Sequence, residues 1–181
     1  AEELDRFKME TLNAQNITNG YLRPVAWRGS EMMAISAQAT KIHVAIACWE
    51  WPSYFSKEAK EKGIKLKTST WQRPAPNTAP VASKAAGLYM ICTMSKHAAE
   101  AKGCSDAMMF DYRGYVAEAR GANIFFVKDG EVHTPKPDCI LNGITRQTIM
   151  EYLRRQGLTV VETRFTRDEL WCADEIFQIG R

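Results

Sequence analysis

Three features with chemical potential lie between residues 81 and 146: a lysine, a glutamate and a glycine-containing loop. Lys84 follows the proline-containing segment RPAPNTAP and comes at or just before a predicted helix that ends near Gly103. A lysine at that place faces the positive end of the helix dipole, which is unfavourable for a purely structural residue. The position therefore hints at a chemical role for the amine of Lys84.

The second feature is the sequence LNGITRQTIMEYLRRQG, which predicts a loop that turns into a helix. Asn142 and Gly143 favour the turn, and Gly157 is a typical helix stop. Free backbone N–H groups near Ile144 and Thr145, together with the threonine hydroxyl, would suit a phosphate group. An ordinary capped helix explains the same residues equally well.

Glu118 is the third feature, and it lies in a predicted strand on the same face as Val116. A carboxylate in an otherwise apolar strand is costly unless a cation lies beside it. A solvent-facing strand surface would account for Glu118 equally well. The pattern of alternation and turn residues around it predicts four strands, over residues 108–111, 115–119, 124–128 and 131–134.

Near the start of the chain, a predicted helix over 2–15 precedes the segment YLRPVAWRG, which reads as a strand. Alternation places Tyr21 and Arg23 on one face, and a guanidinium with a phenol can bind a carboxylate. From these residues alone, a solvated arginine over a sheet edge is the simpler interpretation. Two further strands are predicted over 31–37 and 41–48.

Lys84 in SKAAGLY, Glu118 in GYVAEARGANIFFVKDGEVHTP and the loop LNGITR together resemble the fold-type IV aminotransferases, which use pyridoxal 5'-phosphate. Within that family, the chain is most similar to the branched-chain amino acid aminotransferases. The resemblance implies an α/β (α+β) fold, with the remainder of a small α/β domain followed by a larger pseudo-barrel domain of mainly antiparallel strands with helices. We expect residues 1–50 to belong to the small domain, 51–58 to form the linker, and 59–181 to form the cofactor-binding domain, incomplete at its C-terminal end.

The resemblance also implies a role for individual residues. Lys84 would be the catalytic lysine that holds the cofactor and moves the proton, and Glu118 would keep the pyridine nitrogen protonated. The other cofactor-binding positions implied are Tyr89, Gly121, Asn123, Leu141, Gly143, Ile144 and Thr145. The substrate-binding positions implied are Tyr21 for the α-carboxylate, Arg23 for the side-chain carboxylate of glutamate, and Trp51 as an aromatic wall. Trp49, two residues earlier, is expected to be a core residue.

The chain departs from the family pattern at two places. After the glutamate the family usually has GxGEN, whereas this chain has ARGAN, which keeps Gly121 and Asn123 but changes the residues around them. The hydrogen bonds beside the pyridine are therefore expected to differ. The family also has an earlier N-terminal segment and a later GTAAE-like turn, and Arg181 stands where the threonine of that turn is expected. We therefore expect a fragment.

The implied activity is transfer of an amino group from leucine, isoleucine or valine to 2-oxoglutarate, in a homodimer or a higher homo-oligomer. D-amino acid aminotransferases and aminodeoxychorismate lyases of the same fold would use the same lysine and glutamate, although the YLRP segment argues against them. A non-catalytic remnant of the scaffold is the alternative from another class of protein.

Composition narrows the remaining possibilities. The formal net charge of +3 over 181 residues is too small and too scattered to indicate nucleic-acid binding. The sequence has no apolar run long enough to cross a membrane and begins with the charged segment AEELDRFKME, so a cytoplasmic location is expected. The five cysteines and three histidines are widely dispersed, which predicts neither disulfides nor a metal site.

Overall fold

The computed structural model describes residues 2–51, 53 and 55–180. In chain order the elements are α1 (Glu2–Ala14), β1 (Tyr21–Arg28), β2 (Ile42–Trp49), α2 (Lys57–Lys62), β3 (Leu66–Thr68), α3 (Tyr89–Glu100), β4 (Asp106–Phe110), β5 (Val116–Ala119), β6 (Asn123–Lys128), β7 (Glu131–Pro135), α4 (Ile144–Arg155), β8 (Val160–Thr163), α5 (Arg167–Trp171) and β9 (Glu175–Ile179). The predicted α/β (α+β) class is confirmed by this mixture of helices and strands. None of the described helices is long and apolar enough to cross a membrane.

The chain divides into two compact units, residues 1–60 and 61–181. The division falls within α2, just after the linker predicted at 51–58. That linker contains Pro52 and Tyr54, which lie outside the described residues, as does the predicted alignment of Arg181. The assignment of the first unit to a small domain stays a prediction.

In the first unit, β1 and β2 form an antiparallel pair in which Tyr21 lies opposite Trp49. The strand predicted over 31–37 is wrong, because this segment forms bends and turns between β1 and β2. Local polar contacts hold the turn: the Thr40 hydroxyl donates to the Ala37 carbonyl at 2.7 Å, and the Lys41 amide donates to the Glu31 carboxylate at 3.3 Å. Side chain–backbone bonds of this kind compete with a strand ladder.

The second unit contains two sheets, with strand orders β3-β4-β5 and β8-β7-β6-β9. The β3–β4 and β7–β8 pairs are parallel, and the other three pairs are antiparallel, as the resemblance predicts for this part of the chain. All four strands predicted from alternation are present as β4 to β7. The turn between β6 and β7 has positive φ at Asp129 (51°) and Gly130 (79°), as a two-residue hairpin turn requires.

Apolar packing fixes β5 and β6. Every residue of β5 is buried, and so are the first four residues of β6. One core cluster consists of Met108, Val116, Ile124, Phe126, Phe165 and Leu170. A second cluster consists of Phe125, Val132 and Met150, with partly buried neighbours from α4, β8 and β9. Because residues 120–122 alone connect the two strands, the end of β5 and the start of β6 are held close together.

Phe125 tests this packing. Its side chain is fully buried, and its ring stacks on Phe177 with the centroids 5.2 Å apart. Phe125→Ala should lower the free energy of unfolding by about 3–5 kcal/mol, because it removes a large apolar side chain and leaves a cavity. Ile176→Ala, on the adjacent strand β9, is the control: this side chain is 47% exposed, and a loss of about 1 kcal/mol or less is expected. Urea unfolding of both variants gives the comparison, and equal losses would contradict it.

Candidate functional site

A cavity of about 520 Å³ in the second unit is lined by all nine residues that were predicted to bind the cofactor. They are Lys84, Tyr89, Glu118, Gly121, Asn123, Leu141, Gly143, Ile144 and Thr145. These residues come from four separate parts of the chain: the segment before α3, α3 itself, the β5–β6 connection with its flanking strands, and the loop that begins α4. We call this space the Lys84 cavity.

Lys84 is held by a turn and by the start of α3. The Ser83 amide donates to the Pro80 carbonyl at 2.9 Å, the Ser83 hydroxyl donates to the same carbonyl at 2.7 Å, and the neighbouring Val81 is 4% exposed. Lys84 precedes the 3₁₀ turn Ala86–Leu88, as predicted for a lysine just before a helix. Its Nζ donates to the Tyr89 hydroxyl at 2.9 Å. The segment therefore presents an amine beside a phenol in the cavity.

Glu118 is buried and has a cation beside it. Arg73 Nε lies 3.1 Å from Glu118 Oε1, and the two side chains are 4% and 9% exposed. The same Nε donates to the Cys139 carbonyl at 3.3 Å, and Nη1 lies 3.9 Å from Cys92 Sγ. Burial raises the pKa of Glu118 to about 7, while the positive charges of Arg73 and Lys84 act in the opposite direction. The carboxylate thus has a pKa close to neutral pH.

Arg73 also lines the Lys84 cavity, and sequence reasoning did not select it. The cost of a carboxylate in an apolar strand indicated that Glu118 needs a cationic partner, but this argument does not identify the partner. Arg73 lies 45 residues before Glu118 and carries no motif of its own. Cys92 was missed as well; its thiol lies in the same cavity wall, and burial raises its pKa.

The loop that enters α4 packs closely against the start of β6. Asn123 Nδ2 donates to the Leu141 carbonyl at 3.1 Å, and a Cβ atom on Gly143 would lie 2.7 Å from Asn123 Oδ1. Gly143 has φ −60° and ψ 144°, a conformation open to any residue, so close approach rather than backbone conformation favours glycine. The Asn123 amide and the absence of a side chain at Gly143 together place this loop against the cavity.

The N-terminus of α4 opens into the cavity. The first helical hydrogen bond runs from the Gln147 amide to the Gly143 carbonyl at 3.1 Å, so the amides of Ile144 and Thr145 precede the helical ladder. Behind them Arg146 is 1% exposed and donates to Asn142 Oδ1, the Pro135 carbonyl and Glu162 Oε2, each at 2.8 Å. This arginine ties the loop to β7 and β8. The exposed amides with their positive helix dipole suit an anion.

The residues that replace the usual family motif have clear contacts. Arg120 Nε lies 3.3 Å from Asp106 Oδ1, and the Arg120 amide donates to the Ala107 carbonyl at 2.9 Å, so this side chain joins β4 to the β5–β6 connection. A Cβ atom at Gly121 would have no protein atom within 4 Å among the described residues. Gly121 therefore borders open space in the cavity.

The three predicted substrate-binding residues lie in the first unit, and the structure brings them together around Trp49. The ring centroid of Tyr21 lies 5.0 Å from that of Trp49 and 5.5 Å from that of Trp51. The guanidinium of Arg23 lies 5.3 Å from the Tyr21 ring centroid and 5.7 Å from that of Trp49. Trp49, which was assigned to the core, is therefore the centre of this aromatic group.

Asp111, Asp138 and Cys139 have side-chain atoms within 4.8 Å of one another, the spacing of a possible metal site. Cations already lie among them: Arg113 contacts Asp111 at 2.6 Å and Asp138 at 3.1 Å, and Arg164 contacts Asp138 at 2.5 Å. We interpret the group as an ion-pair network. The expectation that the chain has no metal site stays a prediction.

The pKa of Glu118 predicts how stability depends on pH. The folded chain binds this proton more tightly than the unfolded chain, in which the ordinary pKa is 4.5. Glu118 therefore stabilises the fold below about pH 4.5, and the contribution is lost as the pH rises to about 7. Over that interval the chain should lose roughly 3 kcal/mol relative to Glu118→Gln. Urea unfolding of both proteins across the interval measures the difference, and parallel pH curves would contradict it.

Gly143 gives a second test. Gly143→Ala would displace the Asn123 side chain and weaken its bond to Leu141, at a cost of about 1 kcal/mol in the free energy of unfolding. Gly121→Ala is the matched control in the same cavity, because its Cβ would meet no described protein atom within 4 Å. This control should be neutral or slightly stabilising in urea unfolding. If the two substitutions have the same effect, the close approach at Gly143 is unimportant for stability.

Comparison with known proteins gives the same assignment as the geometry. The family described as amino-transferase class IV matches residues 1–180. The branched-chain-amino-acid aminotransferase of Pseudomonas aeruginosa is 40% identical over 179 residues, which is 99% of this chain and 58% of that protein. The enzyme of the same name from Escherichia coli K12 is 35% identical over 181 residues, 99% of this chain and 59% of that protein. The chain thus spans a little under three-fifths of these relatives.

Solved structures show the same likeness. The branched-chain amino acid aminotransferase of Escherichia coli superimposes with a TM-score of 0.94 at 35% identity, over 99% of this chain and 60% of that chain. The branched-chain aminotransferase of the thermophilic archaeon Thermoproteus uzoniensis, described with norvaline, superimposes with a TM-score of 0.92 at 34% identity, over 99% and 60%. The chain therefore belongs to the class IV amino-transferase family and has the fold of the fold-type IV branched-chain aminotransferases.

Proposed function

We propose that the chain is part of a pyridoxal 5'-phosphate-dependent aminotransferase that exchanges amino groups between branched-chain L-amino acids and 2-oxoglutarate or glutamate. The observation that carries the proposal is the Lys84 cavity, where an amine, a buried carboxylate and the start of a helix line one space. The names of the relatives support it. One solved branched-chain aminotransferase is described with pyridoxamine 5'-phosphate and another with N-(5'-phosphopyridoxyl)-L-glutamate.

The groups in the cavity fit the chemistry of this cofactor. The Lys84 amine suits the aldehyde, and the Tyr89 hydroxyl, 2.9 Å from that amine, suits the phenolic oxygen. The buried Glu118 carboxylate suits a protonated ring nitrogen. The amides of Ile144 and Thr145 at the start of α4, with the threonine hydroxyl, suit the phosphate. Each functional group of the cofactor thus has a matching residue.

The remaining cavity residues would shape the space. Leu141 would pack against the ring, and Gly121 borders the open part of the cavity, where a side chain would occupy space needed by the ring. Asn123 and Gly143 would hold the loop that binds the phosphate, through the bond from Asn123 to the Leu141 carbonyl and the close approach at Gly143. These four residues would act by position and shape rather than by charge.

When bound, pyridoxal 5'-phosphate supplies a protonated ring that draws off the negative charge developing at the substrate Cα. Lys84 Nζ would hold the cofactor covalently and, as a free amine, take the proton from Cα and return it. Glu118 would keep a proton on the ring nitrogen, and Tyr89 would hold a hydrogen bond to Lys84 Nζ that orients the amine. A lysine and a glutamate therefore divide the proton transfer and the charge stabilisation between them.

For the substrate, we propose that Tyr21 and Arg23 bind carboxylates and that Trp51 forms an apolar wall. Arg23 offers paired donors, and its position over the Tyr21 and Trp49 rings restrains the guanidinium. One relative is described as complexed with 4-methylvaleric acid, a carboxylate with a branched apolar chain. A cation beside aromatic rings suits both branched apolar acids and glutamate.

A homodimer and a cytoplasmic location are also part of this proposal. The dimer follows from the resemblance, since family members borrow residues from the partner chain. The location follows from the charged beginning of the sequence.

Covalent labelling tests the proposed lysine. The chain is incubated with pyridoxal 5'-phosphate, reduced with borohydride and digested, and the pyridoxyl adduct is mapped by mass spectrometry. We expect the adduct at Lys84, because its amine lies beside the Tyr89 hydroxyl in a cavity with an anion-binding helix start. Lys84→Gln should remove the adduct, while the exposed Lys57 stays unlabelled as an internal control. Labelling spread over many lysines would contradict a specific site.

Substrate choice is read from the same preparation. Leucine should shift the visible absorption band of the labelled site before reduction, and D-alanine should leave it unchanged. A shift with D-alanine alone would favour a D-amino acid aminotransferase of the same fold. Specific labelling with no shift on adding either amino acid would favour a scaffold that holds the cofactor without acting on amino acids.

A further inference from the structure

The Arg73–Glu118 pair is the most buried ion pair of the Lys84 cavity among the described residues. Its two charges lie 3.1 Å apart, with side chains 4% and 9% exposed. Burying two charges is expensive, and apolar residues of similar size often give equal or greater stability. A buried pair at a cavity wall therefore calls for a reason beyond stability.

The other contacts of Arg73 are those of a brace. Its amide donates to the Phe110 carbonyl at 2.7 Å, and its Nε donates to the Cys139 carbonyl at 3.3 Å. The backbone contact is available to any residue other than proline, and a neutral donor would serve the Cys139 carbonyl. Neither contact requires a positive charge. The contact with the Glu118 carboxylate is the one that does.

The other groups around Glu118 do not replace this charge. Lys84 also lowers the pKa of Glu118, but in the proposed function its amine is committed to the cofactor. Arg120 is paired with Asp106 at 3.3 Å, and the Cys92 thiol has a raised pKa because it is buried. An arginine side chain stays charged at all accessible pH values, unlike lysine. Arg73 is therefore a permanent counter-charge for Glu118.

We propose that Arg73 is a positioning residue that keeps the Glu118 carboxylate ionised and fixed in the cavity wall, ready for a protonated ring nitrogen. This inference rests on the proposed function for its purpose. Arg73 itself contacts the glutamate and not the reacting atoms. Because it lies against the carboxylate, it favours the charge-separated state, in which the glutamate is negative and the ring nitrogen carries the proton.

The test follows the protonation of Glu118 in the chain without cofactor. The infrared carbonyl band of the protonated carboxyl group is recorded against pH and assigned by its loss in Glu118→Gln. In the unaltered chain the midpoint should lie at about 7. Arg73→Gln keeps amide donors for the Cys139 carbonyl but removes the charge, and it should raise the midpoint by roughly one pH unit or more. Arg73→Lys, which keeps a charge, should return the midpoint most of the way.

A matched control separates charge at Glu118 from general loss of a buried arginine. Arg146 is 1% exposed and pairs with Glu162 at 2.8 Å, so Arg146→Gln should lower stability but leave the Glu118 midpoint unchanged. An unchanged midpoint in folded Arg73→Gln would overturn the proposal and leave Arg73 as a brace. A Glu118 that keeps its proton throughout the neutral range in the unaltered chain would overturn it too, and that measurement needs no variant.

The outcome is independent of the Lys84 labelling. No cofactor is present during the titration, so a failed proposal for Arg73 leaves a positive labelling result intact. A failed labelling result likewise leaves the titration of Glu118 readable, although its purpose would then need another explanation.

Discussion

The contact between the Glu118 carboxylate and the Arg73 guanidinium, 3.1 Å apart in a buried strand environment, is the constraint on which the cavity depends. Burial raises the pKa of the carboxylate towards neutrality, and the neighbouring cations hold it down. The balance keeps a usable negative charge in an apolar wall. The fold then places an amine, a phenol and a helix start around that charge, each from a different stretch of chain. Without the ion pair, the strand would present a neutral acid to the same space.

Much of the fold could be predicted from the sequence because the signals are local. Alternation and the Asp129-Gly130 turn gave β4 to β7, and glycine and proline positions gave the ends of α3 and α4. The strand expected over 31–37 was wrong because side chain–backbone bonds of Thr40 and Glu31, which alternation does not reveal, favour a turn. The nine cofactor positions came from a resemblance, and the structure places all of them on one cavity wall. Their roles stay predictions.

What the sequence could not supply were the partners of the selected residues. Arg73 is remote in sequence from Glu118, and only the pairing of β4 with β5 and the contact of Arg73 with the Phe110 carbonyl bring them together. The need of Asn123 for a glycine at 143 is likewise a three-dimensional fact, since it depends on a 2.7 Å approach between two loops. Trp49 was assigned to the core because one aromatic residue in a strand looks like any other. Its place between Tyr21 and Trp51 depends on strand register.

Arg73 and Lys84 belong to one short stretch of chain, residues 73–84, that contains no helix or strand. It is fastened at one end by the Arg73 amide on the Phe110 carbonyl and near the other by the buried Val81. Segments of this kind open locally at a smaller free-energy cost than the strands they lie on. An opening of this stretch would withdraw the guanidinium and the amine from the cavity in the same event. The counter-ion and the reactive amine would then be gained and lost together, which makes the site an all-or-none assembly rather than one that weakens by degrees.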